Sequence, residues 1–214
     1  AYAVLDAVER AEKMADTSVP SVWVGCSGGG MIRGVVTLDF DEDRKAYGSR
    51  VRWLVANLGT ALVASLIIAA FGAAIEKLVA LAILMPIVAS MGGIAGSQVL
   101  TLVIRGIALN QIGATNTRWL LNREIIVGLI NGVLWATVIA ALTALWFDNI
   151  KIAYIIAAAT IINLLFAATT GTLLPILLKK IGIDPALAGS VILTTVTDVV
   201  GFLSFLGLAT IFLI

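Results

Sequence analysis

Chemistry in this chain concentrates near its C-terminus, in Thr194-Thr195-Val196-Thr197-Asp198-Val199-Val200-Gly201. One carboxylate stands there inside an otherwise apolar run from about Pro185 to Ile214, long enough to cross a bilayer as a helix of roughly 20 residues or more. An ionised side chain in hydrocarbon costs at least about 2.5 kcal/mol, so it faces a protein interior or a water-filled path and marks function by default. At 100° per residue, Val191, Thr194, Thr195, Gly201 and Phe202 fall within about 60° of Asp198. That face is a polar stripe whose hydroxyls, with a carbonyl beside Gly201, could receive water or a hydrated cation. The opposing reading is an aspartate satisfied structurally by another span, but no basic residue lies at matching depth to pair with it.

The elements that must position this carboxylate are membrane helices. Of 214 residues 60% are hydrophobic and 13% charged, with a mean hydropathy of +1.07, against roughly 25% charged in a soluble domain. Residues 1–50 hold eight of the 13 acids, which leaves Glu76, Glu124, Asp148, Asp184 and Asp198 for the rest. The fold class expected is an all-α integral membrane protein of five transmembrane helices, at about Trp53–Ala74, Leu78–Ile104, Ile125–Phe147, Ile152–Leu178 and Pro185–Ile214. Residues 51–214 then form the membrane domain. Residues 1–50 form a cytoplasmic connecting helix, a linker and an acidic segment. Lys45, Arg50, Arg52, Arg105, Arg118, Arg123, Lys179 and Lys180 fall on one side, with only Lys77 and Lys151 on the other. The N-terminus is therefore expected in the cytoplasm and the C-terminus outside, as in a multi-pass protein of the cell membrane.

Composition also restricts partners. A net charge of +1 gives no nucleic-acid footprint. One cysteine, Cys26, and no histidine exclude an intrachain disulfide and argue against thiolate or imidazole metal sites. A bound metal is then expected to be a hard, oxygen-liking cation.

Within the second span, Ser90-Met91-Gly92-Gly93-Ile94-Ala95-Gly96-Ser97-Gln98 sets small residues at helical spacing. Simple helix packing explains such pairs. Three glycines so close, with Pro86 upstream and Gln98 downstream, favour instead a locally irregular backbone lining a pore. Gly92, Gly93, Gly96 and Gln98 are the candidates there, with Thr195 facing them. The fourth span carries Asn163, Thr169, Thr170, Thr172 and Pro175, and a kink at the proline is expected. Glu124 opens the third span, where a helix N-terminus tolerates an acid; a gating role is the alternative. Trp119-Leu120-Leu121 among polar neighbours suits an amphipathic turn at the interface.

Ahead of the spans, residues 3–15 repeat apolar positions at helical spacing and suggest a short amphipathic helix. Gly25-Cys26-Ser27-Gly28-Gly29-Gly30 lacks the lysine and spacing of a phosphate-binding loop and suits a flexible linker. A short strand is expected near Val35 and Leu38. Asp39, Asp41, Glu42 and Asp43 suit a solvated turn, or alternatively a regulatory divalent-ion site.

Met85-Pro86-Ile87-Val88-Ala89-Ser90-Met91-Gly92-Gly93, Gly96, Gln98, Arg105-Gly106, Arg123-Glu124 with Gly128, and Asp184-Pro185-Ala186-Leu187-Ala188 leading to Thr195, Asp198 and Gly201, resemble the MgtE magnesium channel family in order from about Arg50 to Ile214. The resemblance implies a five-span homodimer in a lipid bilayer, with the pore at the twofold interface lined by the second and fifth spans. It implies Mg²⁺ as the transported and bound ion, with Asp198 as key ligand. Thr194 and Gly201 would offer carbonyls, and Ser190 and Ser97 would stand at neighbouring pore positions. Ile94 and Ser97 stand where members often have asparagine, and Ser190-Val191 where an Asn-Pro or Gly-Pro pair is common, so a thinner polar surround is expected. The resemblance also implies cytoplasmic regulatory modules, for which no counterpart is read in residues 1–50; the expectation is a truncated product or a naturally short form, with those modules missing or on another chain. Residues 5–15 are similar to the helix that joins those modules to the membrane part.

Passive, potential-driven Mg²⁺ uptake is the leading expectation. Alternatives are an ion-coupled divalent-cation antiporter, a less selective Co²⁺ or Mn²⁺ carrier, and a membrane scaffold without transport of its own. An enzyme is the least expected class, for want of histidine, an activated nucleophile or a carboxylate pair at membrane depth.

Overall fold

The computed structural model describes residues 21–24, 34–37, 40–113 and 116–213, with side chains from Val51 onward except Leu187. Two four-residue strands, β1 (Ser21–Val24) and β2 (Gly34–Thr37), pair antiparallel with Ser21 opposite Thr37 and Val24 opposite Gly34. The strand expected near Val35 is β2, so the all-α description holds for the spans and not for this segment. Leu38, residues 3–15 and the glycine run lie outside the described residues. Helix α1 (Phe40–Ala70) begins early enough that Asp41, Glu42 and Asp43 open it instead of forming a turn. Acids in a first helical turn oppose the partial positive charge of the free backbone N–H groups there. The chain divides into two compact units, Ala1–Arg52 and Trp53–Ile214, and the division falls within α1.

After α1 come the short α2 (Gly72–Lys77), then α3 (Val79–Ala108), α4 (Thr117–Phe147), α5 (Ile150–Lys180) and α6 (Pro185–Leu213). Five of these are long and apolar enough to cross a membrane, the first as Val51–Ala70 within α1. That span ends before the expected Ala74, because the helix breaks at Phe71 and restarts as α2. Elsewhere the sequence dictates the junctions plainly. Gly182 closes α5 in the left-handed region at φ 77°, Asp184 then accepts a hydrogen bond from the Ala186 N–H at 2.9 Å, and Pro185 takes the first helical position, where it forfeits no hydrogen bond. Asn149 caps α5 in the same way, accepting from the N–H groups of Lys151 and Ile152.

Helix α5 is the centre of the bundle, packed by α3, α4 and α6. More than half of its spanning window, 56%, is buried, against 6% for Val51–Ala70. Its small residues allow this. Gly171 approaches α3 so closely that a Cβ there would stand 2.8 Å from the Gly96 carbonyl oxygen, and Ala168 fills the notch at Gly128 of α4. Helix α1 meets the bundle through Trp53 at one end, against the cluster of Leu100, Leu178 and Leu193, and through Ile68 at the other, against the cluster of Leu81, Leu84 and Phe205.

Helices α3 and α6 pack antiparallel, ridge into groove. On α6 every fourth residue is buried: Gly189, Leu193, Thr197, Gly201, Phe205 and Ala209. This i, i+4 ridge is the commonest packing row in helical proteins. Its members meet α3 in step, Gly189 beside Leu100, Leu193 beside Gly96, Thr197 beside Gly93 and Gly201 beside Val88. The irregular backbone expected in the second span is absent: α3 is helical from Val79 to Ala108, with Pro86 inside it. Its glycines serve as room for neighbouring side chains, so the helix has no reason to unwind. Helix α5 likewise continues past Pro175 to Lys180.

Candidate functional site

Asp198 lies one position beyond the buried Thr197, and so one step around α6 from the ridge that grips α3. It is half-buried, as are Val191, Thr194, Thr195 and Phe202 around it. Among the described residues its carboxylate has neither an ion pair nor a hydrogen-bond partner. The neighbouring hydroxyls point their protons elsewhere. Thr194 donates to the Ser190 and Val191 carbonyls at 3.0 and 3.1 Å, and Thr195 to the Val191 carbonyl at 2.7 Å. Such back-bonding satisfies the hydroxyl proton within the helix and leaves oxygen lone pairs outward. The face beside Asp198 is therefore made of acceptors, as a cation or the water around one requires.

The residues foreseen beside Asp198 separate into three groups. Gly93, with its Cβ direction 3.9 Å from the Thr197 hydroxyl, brings the glycine segment of α3 to the depth of Asp198. Ser97, half-buried, donates to the Ile94 carbonyl at 2.8 Å, and Ser190 is exposed near the start of α6. Gly92, Gly96 and Gly201 form the second group, turned into the protomer. A Cβ on Gly92 would overlap the Asn163 amide, one on Gly96 would meet Leu193 at 2.9 Å, and one on Gly201 would stand 2.9 Å from Asn163 Nδ2. The carbonyls of Thr194 and Gly201 accept hydroxyl protons from Thr197 and Ser204, at 3.0 and 3.1 Å. Each sits inside a continuous helix, whose i+4 N–H takes the other lone pair.

Gln98 and Glu124 make the third group, away from Asp198. They share a cavity of about 200 Å³ between α3, α4 and α5, with Asn131, Gly128 and Leu164 also on its wall. Glu124 does not open the third span as expected. Helix α4 starts at Thr117, behind an Asn116 that accepts from the Gly113 N–H, so Glu124 is its eighth residue. Its side chain is buried, with Oε1 3.9 Å from an Arg123 nitrogen. Trp119, expected in an interfacial turn, lies in the first turn of α4 and is 67% exposed.

Sequence reasoning gave no role to Asn163. Buried to 1% at the meeting of α3, α5 and α6, it donates from Nδ2 to the Val88 carbonyl at 2.8 Å, while Oδ1 has no partner. Two glycines on different helices, Gly92 and Gly201, make room for it. The available signal was the single amide within the apolar fourth span, opposite glycines distant in sequence. Among the described residues no three His, Cys, Asp or Glu side chains converge on one point.

A family model described as "MgtE: Divalent cation transporter" matches residues 85–208, from the proline-bearing part of α3 to beyond Gly201. The chain belongs to the MgtE family. It is similar to the magnesium transporter MgtE of Bacillus subtilis, 33% identical over 82% of this chain and 40% of that protein. Against the magnesium transporter MgtE of Thermus thermophilus it is 32% identical over 77% of this chain and 36% of that protein. A third relative, the magnesium transporter MgtE of Enterococcus faecalis, is 26% identical over 79% of this chain and 37% of its own length. The chain thus spans about two fifths of the curated relatives it matches. The MgtE match contains Asp198, the threonine stripe, the α3 glycines and Asn163, and leaves α1 outside. The expectation that an enzyme is the least expected class is corrected in its ground: missing catalytic groups decide nothing, whereas the relatives are named as magnesium transporters.

Proposed function

We propose that this chain forms the ion-conducting part of a magnesium channel, with passive, potential-driven Mg²⁺ uptake along a path centred on Asp198. The observation that carries this reading is a half-buried, unpartnered carboxylate in a membrane-spanning helix, flanked by hydroxyls that present only lone pairs. Magnesium dehydrates reluctantly and keeps several waters, so one carboxylate with weak outer contacts suits passage better than a cage of ligands. The names of the family relatives support magnesium as the ion.

One carboxylate per protomer is little charge for a divalent ion, and a twofold homodimer supplies two about its axis. Half-exposure of the Asp198 row supports its use as half of such a path, with α3 and α6 as the lining helices. Thr194, Thr195, Ser97 and Ser190 contribute oxygen atoms, and Gly93 leaves room at the depth of the carboxylate. The backbone carbonyls of Thr194 and Gly201 act only through water or on local unwinding, since both are engaged in the helix. With the basic helix ends in the cytoplasm, a double charge crossing 100 mV gains about 4.6 kcal/mol from the field. No coupled energy source is then required.

Mg²⁺ influx into proteoliposomes under a set potassium-diffusion potential tests the reading. Asp198→Asn keeps shape and removes the charge, and is expected to lower flux at least about tenfold while the protein stays folded. Unchanged flux would overturn the assignment.

A further inference from the structure

At the membrane end that carries Arg105, Arg118, Arg123, Lys179 and Lys180, the described residues between α3 and α4, 109–113 and 116, are tied together by hydrogen bonds. The Gln111 N–H donates to the Gly106 carbonyl at 2.9 Å. Asn116 ties the loop to itself, with Oδ1 accepting from the Gly113 N–H at 2.8 Å and Nδ2 donating to the Gln111 carbonyl at 2.7 Å. Ile112 presses onto the bare backbone of Gly106, where a Cβ would stand 2.6 Å from its Cδ1. The loop so held walls a cavity of about 420 Å³ lined by Leu102 and Arg105 from α3, by Leu109 at the C-cap of that helix, and by Trp119 and Arg123 from α4.

The charge of this cavity is only partly compensated. Among the described residues Arg105 has no acidic partner, and Arg123 has only Glu124 at 3.9 Å. The Arg123 guanidinium lies 5.9 Å from the ring centre of the exposed Trp119, which holds it over the cavity mouth. On the other side of Ile112 a second cavity, of about 480 Å³, adds Lys179 and Lys180. Two guanidinium forks beside lipid-facing leucines and an interfacial tryptophan match a ligand with a phosphate at one end and hydrocarbon at the other.

We propose that this cavity binds an anionic phospholipid, its headgroup phosphate bridging Arg105 and Arg123, its acyl chains running inward past Leu102, and Leu109 and Trp119 flanking the headgroup at the helix ends. The apolar wall distinguishes this occupant from a free phosphate, which would gain nothing from it. Bound there, the lipid braces the α3–α4 connection and so the end of the helix that carries Gly93 and Ser97.

Native mass spectrometry of the intact chain, titrated with phosphatidylglycerol and phosphatidylcholine of equal chain length, tests the site. The first phosphatidylglycerol should bind several-fold more tightly than phosphatidylcholine. Arg105→Gln and Arg123→Gln should each weaken that binding about fivefold, the worth of one interfacial cation, while Arg118→Gln, outside the cavity, should not. Should Arg105→Gln not fold, Arg105→Lys carries the test with an expected loss of about twofold, because an ammonium keeps the charge without the fork. An equal loss in Arg118→Gln, no loss in the Arg105 and Arg123 variants, or displacement by about ten millimolar inorganic phosphate would each overturn the proposal.

Discussion

Gly201 can be asked whether it serves the ion or the packing, because alanine leaves its carbonyl in place and adds only a methyl group. That Cβ would stand 2.9 Å from Asn163 Nδ2 and 3.4 Å from both Asn163 Cγ and Val88 Cγ1. Asn163 cannot retreat freely, since Nδ2 donates to the Val88 carbonyl at 2.8 Å and Gly92 presses on its other side. Forcing one methyl into a filled core costs about 1–3 kcal/mol, and losing the buried hydrogen bond about 1–3 more where it breaks. Gly201→Ala should therefore destabilise the protein by about 1–3 kcal/mol with the bond kept and by about 2–6 kcal/mol with it broken, in reversible SDS unfolding. Asn163→Ala should cost about 1–3 kcal/mol alone, for the lost bond and the space left. In the double variant the methyl enters that space, so the two effects should fall short of their sum by about 1–2 kcal/mol. Mg²⁺ flux, lowered in Gly201→Ala by displacement of α6 one turn from Asp198, should recover in part as well. Additive stabilities would refute the steric account, and a flux loss that the second substitution leaves untouched would return Gly201 to the ion path.

Gly171→Ala should be among the most damaging glycine substitutions, about 2 kcal/mol or more, because its Cβ would meet the Gly96 carbonyl oxygen at 2.8 Å and backbone cannot step aside. Gly59→Ala and Gly207→Ala, with nothing within 4 Å, should be neutral or stabilise by up to about 1 kcal/mol; thermal midpoints in one detergent compare all three. Removing a helix cap by Asp184→Ala or Asn149→Ala should cost about 1 kcal/mol each and leave ion selectivity unchanged, as the same midpoints and paired Mg²⁺ and Ca²⁺ flux would read.

Five spans were legible because apolar runs of membrane length are separated by charges, and a single acid within one of them marked Asp198. Boundaries were less so. The polar turn Thr117 to Glu124 continues α4 outward past its apolar part, and no periodicity in the apolar run announces that. Angles about a helix axis were legible, but the facing partner was not. The wheel grouped Thr194, Thr195 and Asp198, all half-buried on α6, yet it also admitted Gly201, whose edge of that sector belongs to the packing ridge. Gln98, five residues after Gly93, stands about 140° around α3 from it, and it lines the cavity shared with Glu124, a partner that its polarity alone could not announce. Asn163 was out of reach for another reason. Its meaning lies in Gly92 and Gly201, on two other helices, and only the packed bundle brings the three together.

Asp198 stands beside the ridge and not on it, which is where the proposed ion path requires a carboxylate to be. On the ridge, in the place of Thr197 or Gly201, the carboxylate would be sealed against α3 and Asn163, where an unpaired charge is costly and an ion could not reach it. A half turn away it would face hydrocarbon. One step around, it is held by the rigid contact of its neighbours, yet its own face is open and edged with hydroxyl lone pairs. Such a face is stable in a membrane only when water or a second polar surface covers it. In the proposed homodimer a twofold copy offering the same face would meet that need and double the charge, so one assembly would answer both the solvation demand of the aspartate and the charge demand of a divalent ion. Asp198→Leu should then unfold no helix, and should stabilise the isolated protomer relative to Asp198→Asn while abolishing Mg²⁺ flux.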